Sequence, residues 1–335
     1  MAASQKENRP ARERQPEKNR KTRVAIIGTG LIGGSLGMAL RQTQQYEVVG
    51  HDLDYERASK AKRLGAVDQA IWNLPIAVER ADIVVVATPP GAIYGVFKDL
   101  ANLLSPGTIV TDTASVKVQV MQWAEELLPA SVSFVGGHPM AGKETAGIEA
   151  AQADLLAGCT YCLVPYARAA SEAIDRVTAM VKAIGARPFY VEAAEHDSYV
   201  AAVSHLPFLL SASLTSVVTS SPVWRDMRQL AASGFRDTTR LASGDPTMHR
   251  DICLANSQSI ARWLDAYIAE LMAVKQLVEA GDAEGLQMFF RGAKNAREAW
   301  LNLGQPAKDA GLPSATDRLG RMFLGGLGDL GRRRG

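Results

Sequence analysis

The residues around position 138 include the side chain best suited to proton transfer. His138 lies in the sequence GGHPMAGKET, directly after an apolar run that predicts a strand. A histidine is neutral near pH 7 and can still accept a proton from a hydroxyl. Ser115, in the sequence TDTASVK after the preceding strand, can orient that ring or hydrogen-bond the same hydroxyl. We therefore predict that His138 is a general base, the alternative being a His-Pro surface turn.

A second set of polar residues lies in the C-terminal half. Arg240 ends the sequence FRDTTR, and its guanidinium can place two parallel hydrogen bonds on a carboxylate. We expect Asp237 to orient Arg240 or a loop amide, and Arg236 to be a solvated neighbour. His205 lies in the apolar sequence SHLPF, where ligand binding and a buried structural role are both open. His196 starts the same helix, where it can equally be a capping or surface residue.

A glycine-rich turn at residues 24–34, VAIIGTGLIGG, predicts a dinucleotide-binding site. Gly28 permits a tight turn out of the strand, Gly30 leaves the backbone open to a pyrophosphate, and Gly33 lets the next helix pack closely on the strand. The N–H groups at the start of that helix, including those of Leu31 and Ile32, would bind the phosphate charge. A chance glycine turn is the alternative, and the surrounding strands argue against it.

Residues at the ends of neighbouring strands complete the predicted cofactor site. Asp52 ends the second strand, where such folds place an acid that accepts hydrogen bonds from a ribose 2′-OH. Its negative charge would repel a 2′-phosphate, which favours NAD over NADP, although Arg57 lies close enough in sequence to keep NADP open. Thr88 and Pro89 follow the strand at 83–87 and would border the nicotinamide, together with Ser115.

These residues require a scaffold of two domains, for which 335 residues are sufficient. Residues 22–191 alternate apolar runs with helical patterns, which predicts an α/β, doubly wound, Rossmann-type sheet of parallel strands. Residues 192–303 show only helical spacing and predict an all-α domain. We expect a disordered tail at 1–21 and a mostly flexible tail at 304–335. The predicted strands are 24–27, 47–50, 83–87, 108–111, 133–135, 161–164 and 188–191.

The helical half predicts a homodimer, because it has too many apolar faces for one small bundle. Residues 196–218 form one long apolar helical pattern with an expected kink at Pro207. The run 200–218 could be mistaken for a membrane span. It contains His205, Pro207 and five Ser/Thr residues, so we expect an internal helix and no membrane contact.

Composition sets further limits on partners and location. The net charge is +2 and no basic stripe is interleaved with aromatics, which argues against nucleic acid. Cys159 and Cys162 form an isolated CxxC with no nearby histidine to complete a metal site, so we expect no metal. The sparse cysteines, together with residues 1–21 that lack the apolar segment of a secretory signal, predict a cytoplasmic location.

Five sequences along residues 22–300 resemble, in order, the prephenate/arogenate dehydrogenases of tyrosine biosynthesis: GTGLIGGSL, TDTASVK, HPMAGKETAGIEAA, EHDSYVAAVSHLP and FRDTTRLASGDP. The resemblance implies oxidative decarboxylation of a cyclohexadienyl acid. Hydride passes from the ring carbon that bears the hydroxyl to NAD, and the ring carboxylate leaves as CO2. No metal is implied, because the oxidised cofactor accepts the electrons. The helical half is implied to be the dimer interface.

The same resemblance implies roles for the matching residues. His138 would accept the proton of the ring hydroxyl, and Ser115 would hold that hydroxyl in line with the imidazole. Arg240 would bind a substrate carboxylate, most simply the ring carboxylate, and Glu144 would gate the entrance. Two further histidines would line the substrate pocket from the helical half: His196 and His205.

Two positions depart from the family, and two other functions stay open. Many prephenate-specific members have a histidine where this chain has Phe208, which leaves arogenate or dual use open; relatives often have a tryptophan in place of His249. A β-hydroxy-acid dehydrogenase typically relies on a lysine in its helical half, where residues 192–244 have none. A non-catalytic NAD(H)-sensing module would not need the predicted base, serine and arginine together.

Overall fold

The computed structural model describes residues 20–303, so the tails predicted at 1–21 and 304–335 lie outside the described residues except for Arg20 and Lys21. Arg20 lies against the sheet, where its guanidinium pairs with Asp82 at 2.5 Å. The strands fall between Thr22 and Tyr190, and the described chain continues from Ala193 in helices and turns. This is the predicted order of a Rossmann-type sheet followed by helices.

The sheet has eight strands: β1 (Thr22–Ile27), β2 (Tyr46–His51), β3 (Gln69–Ala70), β4 (Ile83–Val86), β5 (Ile109–Asp112), β6 (Ser133–Pro139), β7 (Thr160–Pro165) and β8 (Arg187–Tyr190). They lie in the order β3-β2-β1-β4-β5-β6-β7-β8. The chain runs outward from β1 to β3 and then returns to β4 on the other side of β1. This reversal opens a crevice at the carboxyl ends of β1 and β4, where α/β proteins bind ligands.

The existence of β3 and the direction of β7 differ from the prediction. β3 has two residues and no apolar run, so no sequence pattern marks it. β7 runs antiparallel to β6, with His138 opposite Cys162. A parallel neighbour needs a crossover, usually a helix, whereas residues 140–159, all described, contain one 3₁₀ turn and no α-helix. The sheet is therefore mixed rather than wholly parallel.

The two faces of the sheet carry separate apolar clusters. Side chains alternate along β1, so that Val24 and Ile26 belong to one cluster and Ala25 and Ile27 to the other. Burial on both faces explains the continuous apolar runs of the sequence. The helices of this domain are α1 (Leu31–Gln42), α2 (Tyr55–Arg63), α3 (Leu74–Val78), α4 (Ile93–Leu100), α5 (Val118–Leu127) and α6 (Ser171–Ala183).

The second domain, as far as it is described, consists of α7 (Ala193–Val200), α8 (Leu206–Thr219), α9 (Trp224–Met227), α10 (Ser233–Thr239), α11 (Pro246–Ala255), α12 (Ser257–Ala280) and α13 (Ala283–Leu303). The single helix predicted over 196–218 is α7 and α8, joined by a π-helical segment at Ala201–His205. Pro207 has no N–H for the carbonyl four residues earlier, and the wider turn directly before it accommodates this loss. The irregularity therefore lies where the proline predicts it.

Residues 193–219 form a helical stretch that, within the described chain, is long and apolar enough to cross a membrane. One face of this stretch carries buried polar side chains, including His196 and His205, that bond to other parts of the protein. Phe208 from the same stretch joins the apolar cluster of Ala25 and Ile27. These contacts pack one side of the stretch on the sheet domain, whereas only 33% of its apolar window is buried and Val203 and Val217 are exposed in the single chain.

Candidate active site

The glycine-rich turn has the backbone that the sequence predicts. Gly28 has φ +96°, and a Cβ there would lie 2.6 Å from the Ala87 carbonyl oxygen. A Cβ on Gly33 would lie 2.0 Å from the Gly28 oxygen, so α1 starts too close to β1 for any side chain at this position. A Cβ on Gly30 would meet no described atom within 4 Å. Open space therefore lies beside the turn.

The start of α1 directs hydrogen-bond donors toward this turn. Gly30 is the N-cap of α1 and brings no side chain to satisfy the first amides. The amide of Gly34 bonds the Gly30 carbonyl at 2.8 Å, so the N–H groups of Leu31, Ile32 and Gly33 precede the first helical hydrogen bond. A phosphate beside the turn would accept from these groups.

Asp52 and Thr88 flank the same turn. Asp52 is buried at the end of β2, and its Oδ2 accepts hydrogen bonds from the amide and hydroxyl of Thr29 at 2.9 and 3.1 Å. Its Oδ1 lies 3.6 Å from Nη1 of Arg57. Thr88 follows β4, and its buried hydroxyl has no hydrogen-bond partner among the described residues. A buried hydroxyl without a partner costs free energy that a bound ligand can recover, so these residues fit a dinucleotide.

His138 lies near the end of β6 and contacts a second histidine. Its Nδ1 is 2.9 Å from Nε2 of His196, and the two rings meet edge to face with centroids 5.1 Å apart. Nδ1 of His196 is 2.7 Å from Oδ1 of Asp197. All three side chains are buried. The predicted base of the sheet domain therefore contacts the first helix of the helical domain.

Burial keeps both imidazoles neutral. It is the main cause that lowers the pKa of His138 well below its usual value, and the nearby His196, Lys117 and His205 lower it further. Burial also lowers the pKa of His196, while the hydrogen bond to Asp197 opposes that effect. Near pH 7 both rings are neutral, so His138 can act as a proton acceptor.

A buried ion pair anchors the loop that follows β5. Lys117 pairs through Nζ with Oδ2 of Asp112, and both side chains are completely buried. Asp112 also accepts hydrogen bonds from the amides of Ala114 at 2.8 Å and Gly137 at 3.0 Å. The pair therefore connects this loop to the residue directly before His138.

Asp197 connects the same loop to the helical domain. Its Oδ1 accepts from the amide of Lys117 at 2.7 Å, and its Oδ2 accepts from the amide of Val118 at 2.9 Å. Val118 begins α5, so the carboxylate lies at the positive end of that helix. Ser115 is half-buried in this loop, two residues before Lys117.

His205 is completely buried and contacts Asn256 at the start of α12. Its Nδ1 lies 3.3 Å from Nδ2 of Asn256, which also donates to the backbone carbonyl of Asp197 at 2.7 Å. Burial is the main cause that lowers the pKa of His205 to about 4. Because Asn256 donates to Nδ1, His205 carries its proton on Nε2, and the ring also faces the backbone of Ser115.

Phe208 and His249, the two departures noted in the sequence, form a single contact. Their rings are stacked, with centroids 4.1 Å apart and planes inclined by 2°. Phe208 also lies 5.9 Å from the ring of His205. Burial lowers the pKa of His249, so the stack is uncharged near pH 7.

Arg240 pairs with Glu144, which joins the end of α10 to the loop after β6. The Arg240 side chain remains 59% exposed, so solvent screens this ion pair. Asp237 does not orient Arg240 but pairs with Arg236 at 3.7 Å. The reason is local: Arg240 begins a 3₁₀ turn that carries its side chain toward the loop of Glu144.

Two residues of this site were missed from the sequence. Asp197 directly follows His196, and a carboxylate next to a histidine was an available signal. Asn256 is separated from its partners by more than 50 positions, and no pattern marks it. Residues 20–303 contain no group of three side chains placed to hold a metal ion.

The two domains match two parts of one enzyme family. Residues 36–190 match the family described as prephenate dehydrogenase, nucleotide-binding domain, and residues 192–292 match prephenate dehydrogenase, dimerization domain. The prephenate dehydrogenase of Bacillus subtilis (strain 168) is 33% identical over 281 residues, which cover 83% of this chain and 76% of that protein. The chain belongs to the prephenate dehydrogenase family.

Two further proteins are similar to this prephenate dehydrogenase family member over most of their length. The cyclohexadienyl dehydrogenase of Zymomonas mobilis is 32% identical, over 82% of this chain and 95% of that protein. The crystal structure of prephenate dehydrogenase from A. aeolicus in complex with hydroxyphenyl propionate and NAD+ has a TM-score of 0.78 and 29% identity, over 84% of this chain and 99% of that one. The predicted family and fold class are confirmed.

Proposed function

We propose that this chain catalyses the NAD-dependent oxidative decarboxylation of prephenate, arogenate or both. The observation that carries the proposal is His138, which is neutral and buried at the edge of the sheet where the glycine-rich turn also lies. The chain that holds it belongs to the prephenate dehydrogenase family. When bound, NAD+ supplies the hydride acceptor. The residues of the chain bind the substrate, orient it and remove its proton.

His138 is the proposed general base. When hydride leaves the ring carbon, the hydroxyl on that carbon becomes a carbonyl and must lose its proton. His138 has Nδ1 engaged by His196, so Nε2 is the nitrogen that accepts this proton. Ser115 is proposed to hold the hydroxyl in line with that nitrogen, from the loop that Asp197 fixes.

Arg240 is the proposed ligand of the ring carboxylate, and Glu144 the proposed gate. In the structure the carboxylate of Glu144 forms an ion pair with the guanidinium of Arg240, the group that a substrate carboxylate would bind. A solvent-exposed ion pair is worth about 1 kcal/mol or less, so exchanging one carboxylate for another costs little. Substrate entry would then require Glu144 to move aside.

The other two predicted pocket residues, His196 and His205, are 1% and 0% exposed. We propose that they act through His138 and through the loop of Ser115 rather than by direct contact with the substrate. Their hydrogen bonds to Asp197 and Asn256 support this assignment.

The proposed cofactor site lies along the carboxyl ends of β1, β2, β4 and β5. Asp52 is proposed to accept from the ribose and to favour NAD over NADP by its charge, and the half-exposed guanidinium of Arg57 pairs with it at 3.6 Å. The full set is Gly28, Gly30, Leu31, Ile32, Gly33, Asp52, Thr88, Pro89 and Ser115.

The uncharged stack of Phe208 on His249 supports use of either substrate. Prephenate and arogenate differ in the side chain opposite the ring hydroxyl, where one has a keto group and the other an amino group. Neither residue of the stack carries a charge that would select between these groups near pH 7. We therefore propose dual use.

A homodimer through the helical domain is the proposed assembly. Large apolar side chains of α12 and α13 are exposed in the single chain, and the matching family region is described as a dimerization domain. The exposed side chains include Ile268, Leu271, Met272, Met288, Phe290 and Trp300. We also propose a cytoplasmic location, which the three free cysteines support.

The proposed function is tested with the purified full chain, prephenate and arogenate in turn, and NAD+ or NADP+. Absorbance of the reduced cofactor and release of CO2 are followed together. The proposal predicts equal amounts of reduced cofactor and CO2 with NAD+ and slower turnover with NADP+. Cofactor reduction without CO2 release, or no turnover with either acid, would contradict it.

A further inference from the structure

The hydrogen bonds of the His138–His196–Asp197 chain fix where each proton lies. The carboxylate of Asp197 has only acceptors, so Nδ1 of His196 must be the donor in their 2.7 Å contact. His196 is neutral, and its Nε2 is therefore an acceptor. The 2.9 Å contact then requires Nδ1 of His138 to be the donor. The lone pair of His138 is left on Nε2.

We propose that His196 and Asp197 are positioning residues that set the tautomer of His138. We propose also that His196 takes up the proton on Nδ1 of His138 when Nε2 of His138 accepts one. The proposal rests on the function proposed above. As Nε2 of His138 bonds the hydroxyl proton, the proton on its Nδ1 moves to Nε2 of His196. His138 ends neutral with its proton on Nε2, and His196 becomes an imidazolium that donates to the carboxylate of Asp197. The number of protons is unchanged.

The surroundings of the chain are suited to this final state. Asp197 is held by the amides of Lys117 and Val118, so its carboxylate cannot rotate away from His196. A proton kept on His138 would face Lys117, His205 and His196. A proton on His196 faces the carboxylates of Asp197 and Asp112 as well as Lys117. The charge is therefore better placed on His196 than on His138.

The helical domain thereby contributes to the base. Asp197 and His196 lie on α7, whereas His138 lies on β6 and the amides that hold Asp197 start α5. The tautomer of His138 depends on a contact between two domains. Separation of α7 from the sheet domain would remove the preference for a lone pair on Nε2.

The first test reads the tautomers without turnover. The chain has five histidines, so ring nitrogens labelled with nitrogen-15 give a small set of NMR signals. Signals are assigned by the loss of each in His138→Asn and His196→Gln. The proposal predicts a proton on Nδ1 of both His138 and His196 at pH 7. A proton on Nε2 of His138 would overturn it.

The second test distinguishes the proposed proton transfer between the two histidines from a merely structural role of Asp197. Asp197→Asn keeps the size of the side chain and removes the charge; Glu195→Gln makes the same change on an exposed carboxylate of α7. We expect kcat of Asp197→Asn to fall by roughly 100-fold or more, since an orienting carboxylate in a comparable triad is worth about 10⁴-fold. Glu195→Gln should behave as the unmodified chain.

The pH profile gives the sign of the effect. Asp197 raises the pKa of His196, so its removal should move the acid limb of kcat/KM to lower pH while KM changes little. A loss of kcat with the limb unmoved, or a matching loss in Glu195→Gln, would overturn the proposal. The melting temperature and NAD+ affinity of each variant establish that it is folded.

The two proposals fail in different ways. If the tautomers are as predicted but the chain turns over neither prephenate nor arogenate, the hydrogen-bond chain is supported and the proposed function is contradicted. If turnover is full but the proton of His138 lies on Nε2, the proposed proton transfer to His196 is contradicted and the proposed function is supported.

Discussion

At the scale of single residues, burial keeps His138 in the neutral form that the proposed base requires. A histidine exposed to water would be partly protonated at mildly acidic pH, whereas His138 is buried beside two other histidines and Lys117. Its neutral form therefore persists to lower pH. A histidine with an ordinary pKa is half protonated near pH 6.5, whereas His138, with its lowered pKa, stays mostly neutral there.

The pH profile of kcat/KM tests this argument. A lowered pKa means that the base stays deprotonated as pH falls through 6.5, so activity should be retained there. We expect the acid limb of kcat/KM to lie below pH 6.5, measured with buffers of constant ionic strength. A limb centred at or above pH 6.5 would show that burial does not control the base.

Arg240 provides a second test at this scale. A bound substrate would shield Arg240 from water, and loss of a charge-assisted contact in a shielded site costs about 1.5–3 kcal/mol, which corresponds to roughly 10- to 150-fold in affinity. We expect Arg240→Ala to raise KM by about this factor, in steady-state assays with prephenate or arogenate. The matched control is Arg236→Ala, because Arg236 lies on α10, directly before the turn of Arg240, and pairs with Asp237. Equal KM values in both variants would contradict the assignment of Arg240.

The sequence indicates residues by type more readily than by partner. His138 and Arg240 stand out because each is a reactive type in a polar segment near a predicted strand or helix end. The pairing of Arg240 with Glu144 depends on a 3₁₀ turn that no pattern marks. Asn256 contacts His205 only because two distant helices meet. Such partners are set by tertiary packing and cannot be derived from spacing.

At the scale of elements, apolar runs long enough to be buried on both faces were predictable. The run at 83–87 indicates β4 because only a doubly covered strand tolerates it. The two residues of β3 carry no such signal. The direction of β7 depends on what lies between it and β6, and a connection without an α-helix permits an antiparallel return. Pro207 marks the irregular turn between α7 and α8, but not its π-helical form.

The glycine-rich turn allows folding and cofactor binding to be separated. In Gly33→Ala the new Cβ would lie 2.0 Å from the Gly28 oxygen, so α1 must shift and the melting temperature should fall by several degrees. In Gly30→Ala no described atom lies within 4 Å, so folding should be unchanged while NAD+ binding weakens. Calorimetry measures both quantities. Unaltered NAD+ affinity in Gly30→Ala would contradict the placement of the pyrophosphate.

At the scale of the whole molecule, the candidate active site is a junction between the two domains. Asp197 and Phe208 of the helical domain contact α5 and the apolar cluster of the sheet. Helices α12 and α13 extend from this junction with apolar side chains exposed. Exposure of this kind is expected where a second copy covers the surface. A dimer would therefore stabilise the domain that holds Asp197.

The dimer is tested by two charges on one face of α12. Ile268 and Met272 are four residues apart, so they share a face, and both are more than half exposed. We expect the double variant Ile268→Glu with Met272→Glu to be monomeric by light scattering, because burying two carboxylates in an interface is costly. Trp72→Glu, at a still more exposed apolar position on the sheet domain, should remain dimeric. A dimer in both variants would place the interface elsewhere.

In the proposed mechanism His138 removes the proton of the ring hydroxyl. His138→Asn keeps a polar side chain of similar size and abolishes the base. Measured with saturating NAD+ and prephenate or arogenate, kcat should fall by about 100-fold or more, the usual contribution of a general base, while the NAD+ affinity stays unchanged. A variant that turns over at a rate near that of the unmodified chain would show that His138 is not the base.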